Sequence, residues 1–152
     1  MALIDTTTHI EAPPERVWAV LADWEGQPTW MADARSVAVL SPHREGVGVV
    51  LRCRTGIVAG LAVTDDMTVT EWDPPRVMGV RHLGAVIRGV GAFELSPTPH
   101  GTRLRWWEEF TAPLGTVGEA VAQTVVVPLV ERVFRRSLAG LKRVCEAASI
   151  RP

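Results

Sequence analysis

Residues 101–110, GTRLRWWEEF, put two tryptophans and two glutamates into a segment that reads as a β-strand. Alternate side chains of a strand leave opposite faces. Leu104, Trp106, Glu108 and Phe110 therefore share one face, and Arg103, Arg105, Trp107 and Glu109 the other. The second set suits water and the first suits a core, with Glu108 as the misfit. A carboxylate on an apolar face has its charged form disfavoured, which moves its proton affinity toward the range useful for transfer. His82, on a neighbouring segment, is the polar companion that carries the complementary proton. An acid/base pair of this kind abstracts a proton alpha to a carbonyl and expels water, the chemistry of aldol cyclisation and dehydration. Two plainer arrangements stand beside it. Glu108 sits at a cavity mouth and binds Arg35, Arg52, Arg54 or water, or a β-bulge exchanges it for Glu109.

The elements that must position this pair follow from periodicity. Residues 2–10 alternate as a strand. Pro13 and Pro14 then open a helix that carries Val17, Val20 and Leu21 at helical spacing, and a second short helical turn covers PTWMADA. Six strands follow at 36–40, 47–54, 61–72, 76–82, 85–95 and 102–111. They are separated by SPHREG, TGIVAG, DPP, a tight LG at 83–84, and SPTPHG, connections short enough to make antiparallel neighbours. After Pro113 the period returns to that of a helix. Val126, Val130, Phe134, Leu138, Leu141 and Cys145 form one stripe, opposite Glu131, Arg132, Arg135, Lys142, Arg143 and Glu146. Pro128 should kink this helix. The expected class is α+β, in the order β-α-α-β6-α: a curved seven-stranded antiparallel sheet around a long kinked C-terminal helix, as one domain over 1–152. A bent sheet around one helix leaves a cavity between them.

Alternation also gives the expected lining. Phe93 and Leu95 anchor one face of their strand, so Ile87, Gly89 and Gly91 share it, with Met78, Val80 and His82 on the strand before. Glycines in mid-strand mark either the close approach of a ligand or a bend in the sheet. Met67 and Met78 provide either adaptable pocket wall or ordinary core.

The rest of the sequence removes function classes. With 16 basic and 17 acidic residues the net charge is −1, far from the basic footprint of a nucleic-acid binder. No apolar run is long enough to span a membrane. Cys53 and Cys145, far apart in apolar surroundings, read as small buried hydrophobes in a reduced cytoplasm. No CxxC, HExxH or paired histidines suggest a metal, and GVGVV and GVGAF do not make a phosphate cradle, so no cofactor is expected.

Taken in order, IEAPPERVWAVLADWEGQPTW, TVTEWDPPRV, GTRLRWWEEF and LAGLKRVCEA resemble the SRPBCC superfamily with its START-like helix-grip fold, and within it the polyketide cyclase/dehydratase group. The resemblance spans nearly the whole chain. It implies a hydrophobic pocket between sheet and long helix, in a family that binds lipids, sterols, plant hormones or polyketide intermediates. Some members catalyse cyclisation or dehydration. It further implies that Trp30 and Met31 flank the pocket entrance. Trp106 and Phe110 would line the pocket from the last strand, and Val121, Val125, Leu129 and Phe134 would roof it from the helix. The chain departs from the aromatic cyclases in having no tyrosine, which leaves few hydroxyl anchors for polyketide oxygens. Binding of an apolar or aromatic small molecule (polyketide, isoprenoid or steroid-like) is the leading expectation. The rival is a cyclase or dehydratase using Glu108 and His82, and a third reading is a protein-interaction module. No oligomeric state follows from the residues.

Overall fold

A computed structural model describes residues 1–56, 60–85, 87–112 and 114–149. Part of the TGIVAG break, Val86 of the expected strand 85–95, and Pro113 lie outside them. Strand β1 (Ala2–Ile10) leads into helix α1 (Pro14–Ala22) and a 3-10 turn, Trp24–Thr29. Six strands follow: β2 (Ala34–Val39), β3 (Val50–Gly56), β4 (Ala62–Asp73), β5 (Val77–His82), β6 (Gly89–Thr98) and β7 (Gly101–Phe110). The chain ends in α2 (Gly115–Val121), a π-turn (Ala122–Val126) and α3 (Val127–Ser149). All seven strands form one antiparallel sheet in the order β1-β7-β6-β5-β4-β3-β2. The sheet curves around the C-terminal helix, so the helix-grip architecture and its element order are as the periodicity implied.

Two strand boundaries differ from expectation for local reasons. Gly46 and Gly48 adopt φ of 94° and 92°, so the chain is still turning where a strand was expected, and β3 starts only at Val50. Strand β6 starts at Gly89, where it meets Phe110, the last residue of β7. Strand pairing ends at Gly89 with both neighbours, so Ile87 lies in the β5–β6 connection and not on the strand expected for it.

The C-terminal helix corrects a second expectation. Ala122 and Val127 are both buried although five residues apart, and the Val127 N–H donates to the Ala122 carbonyl. That is a π-turn, one residue wider than an α-turn. It lies just before Pro128, whose ring would crowd a regular turn and which has no N–H to close one. The extra residue rotates everything N-terminal to it. Val121 and Val125, expected to roof the cavity, are instead 53% and 56% exposed, and Val126 leaves the apolar stripe. Leu129, also expected there, lies beyond the turn but five residues from Phe134, on another side of α3, and is 57% exposed. Beyond the turn the expected period holds, with Phe134, Leu138, Leu141 and Cys145 buried.

Candidate functional site

The ladder register sets the inward side chains in rows across the sheet. Thr6, Trp106, Phe93 and Met78 make one row. Ile4, Glu108, Gly91, Val80 and Val69 make the next, followed by Ala2, Phe110, Gly89, His82 and Met67. Register along β7 is continuous from Gly101 to Phe110, so no bulge exchanges Glu108 for Glu109.

The Trp106 row meets the helix directly. The Phe134 ring of α3 stacks on Trp106 with centroids 3.7 Å apart and planes at 10°. Phe93 lies 5.0 Å from Trp106, and Trp30 crosses both edge-on at 6.3 and 6.5 Å. Trp30 reaches this cluster because the turn carrying it is fastened to α3. The Ala32 N–H donates to Ser137 Oγ at 2.8 Å, and a Cβ on Gly140 would lie 2.6 Å from the Trp30 carbonyl oxygen. The indole of Trp30 is buried, yet its Nε1–H has no hydrogen-bond partner. Met31 packs at the edge of the same cluster.

One row further along β7 the lining turns polar. Glu108 and His82 stand on strands separated by β6, and Gly91 on that strand has no side chain to block the path between them. A Cβ there would lie 2.6 Å from Glu108 Cγ. This is what the mid-strand glycine is for. Glu108 Oε2 thus comes within 3.7 Å of His82 Nε2, an ion contact rather than a hydrogen bond. On the other side of the ring, Asp65 Oδ2 lies 2.5 Å from His82 Nδ1. Asp65 and His82 are almost wholly buried, whereas Glu108 keeps 21% of its side chain exposed.

Electrostatics follow from that arrangement. Burial opposes charge on His82, but the hydrogen bond to Asp65 and the Glu108 contact outweigh it and raise the pKa to about 10. That balance favours the charged ring at neutral pH. Burial raises the carboxyl of Asp33 above its usual range, and the Glu108 charge adds to the shift. Burial, with the charges of Asp65, Asp66 and Asp33, pushes the Cys53 thiol up to about 12, so Cys53 is no nucleophile at neutral pH.

Of the expected lining, Trp106, Phe93, Phe134, Trp30 and Met78 come together as buried core, and Met67, Val80 and Phe110 pack half-buried beside them. Gly89 lies against the β7 backbone, where a Cβ would be 1.9 Å from the Glu109 carbonyl oxygen. Ile87, Val121, Val125 and Leu129 do not join the group. Glu108 pairs with His82, while one arginine expected as its partner, Arg52, holds Asp66 through two hydrogen bonds of 2.9 Å. Asp65 was not singled out by its sequence context. The alternation that marks Glu108 also puts Asp65 in line with Met67 and Val69. An open hollow of about 300 Å³ at the β5–β6 connection is lined by Arg81, His82, Gly84 and Arg88, among others. Among the described residues no group of three or more His, Cys, Asp or Glu side chains could hold a metal, and no helix is long and apolar enough to cross a membrane.

The fold is shared with known proteins. A family described as polyketide cyclase / dehydrase and lipid transport matches residues 1–146. An uncharacterised protein of Mycobacterium tuberculosis is 31% identical over 152 residues, covering 95% of this chain and 85% of its own. The crystal structure of TTHA0849 from Thermus thermophilus shares the fold with a TM-score of 0.80 at 24% identity, covering 97% of this chain and 99% of that one. The ZhuI aromatase/cyclase from Streptomyces sp. R1128 gives a TM-score of 0.77 at 25% identity, covering 95% of this chain and 93% of that one.

Proposed function

The chain belongs to the polyketide cyclase / dehydrase and lipid transport family, and on that premise we propose that it binds one apolar or aromatic small molecule between sheet and C-terminal helix. A polyketide, isoprenoid or steroid-like skeleton suits the lining. One observation carries this reading. Trp30 Nε1, His82 Nε2 and Asp65 Oδ1 are buried polar atoms with no hydrogen-bond partner, in an otherwise apolar interior. A buried unpaired polar group costs about 1–3 kcal/mol, and a bound molecule bearing oxygen would satisfy the two N–H donors. The buried thiols of Cys53 and Cys145 suit a reducing compartment, so we place the protein in the cytoplasm. The direct test is native mass spectrometry of the protein purified from its own host, paired with tryptophan fluorescence during titration with a hydroxylated aromatic. A co-purified apolar ligand and saturable quenching support binding. A ligand-free protein whose fluorescence never changes opposes it.

The His82–Glu108 contact favours a second reading, in which the bound molecule is also transformed. With His82 cationic, the roles divide. The Glu108 carboxylate takes the proton alpha to a carbonyl, and His82 Nε2–H gives its proton to the departing hydroxyl. A C–H and a C–O bond break, a C=C bond forms, and water leaves. Glu108 then holds a proton 3.7 Å from the nitrogen that lost one, so transfer between them restores the pair. On a linear poly-β-ketone the same pair acts first in the aldol step. Glu108 takes a proton between two carbonyls, and the carbanion adds to a distant carbonyl carbon as its C=O π bond opens. His82 protonates the oxygen, giving the hydroxyl that is then lost as water. Incubation should give cyclised product, and Glu108→Gln should lower the yield about tenfold or more. An unchanged yield removes Glu108 from the chemistry.

A further inference from the structure

His82 has a carboxylate against each ring nitrogen, and the two carboxylates differ. Asp65 is buried, fixed in the ladder opposite Cys53, and within 2.5 Å of Nδ1. Glu108 is partly exposed and stands 3.7 Å from Nε2. We propose that Asp65 is the positioning residue of this site: it holds His82 as a doubly protonated imidazolium whose Nε2–H points at Glu108 and the interior. The site thereby offers a bound molecule a fixed proton donor beside a free acceptor. The inference rests on the reading above, that the interior takes a small molecule, and adds the ligand class: one bearing a carbonyl or similar acceptor oxygen.

Geometry argues for this before any titration is considered. A neutral imidazole has one N–H and one bare lone pair. Either neutral tautomer would turn that lone pair toward a carboxylate oxygen, at Asp65 or at Glu108. Only the cation gives both carboxylates a donor. At Nδ1 the Asp65 carboxylate is within hydrogen-bonding reach, so that nitrogen carries the donor. The Oδ1 of Asp65 lies where a Cβ on Gly84 would come within 2.7 Å, so the absence of a side chain at 84 is what admits the carboxylate. The raised pKa of His82 accords with this geometry.

The other charged or titratable groups around the ring do not compete for it. Cys53 stays a neutral thiol, and the Asp33 carboxyl, whose pKa burial raises, makes no hydrogen bond or ion pair with the ring among the described residues. Arg81 and Arg88 line the hollow at the β5–β6 connection with His82, and no acidic residue lines that hollow. Two carboxylates therefore have two duties. Asp65, dry and close, holds the ring; Glu108, wetter and looser, is left to meet the ligand.

The test is nitrogen-15 NMR of the full chain, following the His82 ring nitrogens from pH 5 to 11. In the parent both nitrogens are expected to be protonated at neutral pH. Asp65→Asn should raise the proton dissociation constant of His82 about tenfold or more, and Glu108→Gln should raise it less. Gly84→Ala, which crowds the carboxylate while keeping its charge, should move His82 in the same direction as Asp65→Asn. A neutral His82 in the parent at pH 7 overturns the proposal whatever the variants do, as does a titration that Asp65→Asn leaves unmoved. The ligand class is read separately with 2-acetylnaphthalene and 2-ethylnaphthalene, similar in shape but only one bearing an oxygen. Tighter binding of the ketone by about tenfold, lost in Asp65→Asn, is the expected result. Equal binding of both overturns the oxygen preference alone. Binding of neither overturns the small-molecule reading with it, while the NMR still decides whether Asp65 holds the ring.

Discussion

At Trp106 the sheet and the C-terminal helix meet ring on ring, with 3.7 Å between the centroids of Trp106 and Phe134. Two residues further along the same strand, Glu108 faces the same interior and finds the His82 ring on the far side of a glycine. The first region is filled by aromatics and fastened to the helix through Ser137 and Gly140. The second holds Asp65 and His82, two of the three buried polar side chains in the described residues that have an atom without a hydrogen bond. A small domain needs a close-packed interior for its stability. It can leave polar atoms unpaired in one region only because another region is packed. In this chain the packed region holds the frame, and on the proposed reading the polar region is left for a ligand.

The packed side offers the largest disruption of this contrast. Phe134→Ala removes the ring stacked on Trp106 and leaves a cavity at the centre of the grip. It should cost about 3–5 kcal/mol, read as a lowered midpoint in urea denaturation. A loss under about 1 kcal/mol would mean the plug does not hold the two layers together. On the polar side, Gly91→Val puts branched carbon where Glu108 now lies. Overpacking of this kind costs about 1–3 kcal/mol, and Glu108 should swing away from His82. NMR of the His82 ring would register that loss even if the stability change were small.

The pH dependence of stability is a gentler probe, since a single group is at issue. His82 titrates at about 10 in the folded protein and near the ordinary histidine value, about 6.5, when unfolded. Between those values the folded state binds the extra proton. Its contribution is complete below about pH 6.5 and is lost as pH rises through about 10. The urea midpoint should therefore fall between pH 6 and pH 10.5 more steeply for the parent than for His82→Gln. Equal slopes would show that the ring is not held charged. Smallest of all is the effect on the outward valines: Val125→Ser should change stability by no more than about 0.5 kcal/mol, because the side chain is already half in water.

The packed region was legible in the sequence because its signals are periodic. Alternation placed Trp106, Phe93 and Met78 on one face, and helical spacing placed Phe134, Leu138 and Leu141 on another. Alternation also turned Glu108 inward, and the composition of β6 hinted at its neighbour through Gly91. What periodicity could not carry across was a change of phase. The π-turn before Pro128 inserts one residue, so a stripe extrapolated backward from α3 pointed Val121 and Val125 the wrong way. Leu129, five residues before Phe134, falls off that residue's side of α3 by helical spacing alone. Ile87 failed for a related reason, since the strand begins only where a partner strand is present to pair with it. Asp65 sits beside Asp66 in a run that looks like solvent-facing charge, which masks its alternation with Met67 and Val69; its burial opposite Cys53 shows that it turns inward.

Everything functional turns on whether the His82 region is where a ligand arrives. One experiment addresses that most directly: a titration of the nitrogen-15-labelled protein with 2-acetylnaphthalene, following the ring N–H of His82 and the indole N–H of Trp30 together. Saturable shifts of both signals with one dissociation constant are expected. Shifts confined to the exposed residues of α2 and the π-turn, with both buried signals unmoved, would contradict it.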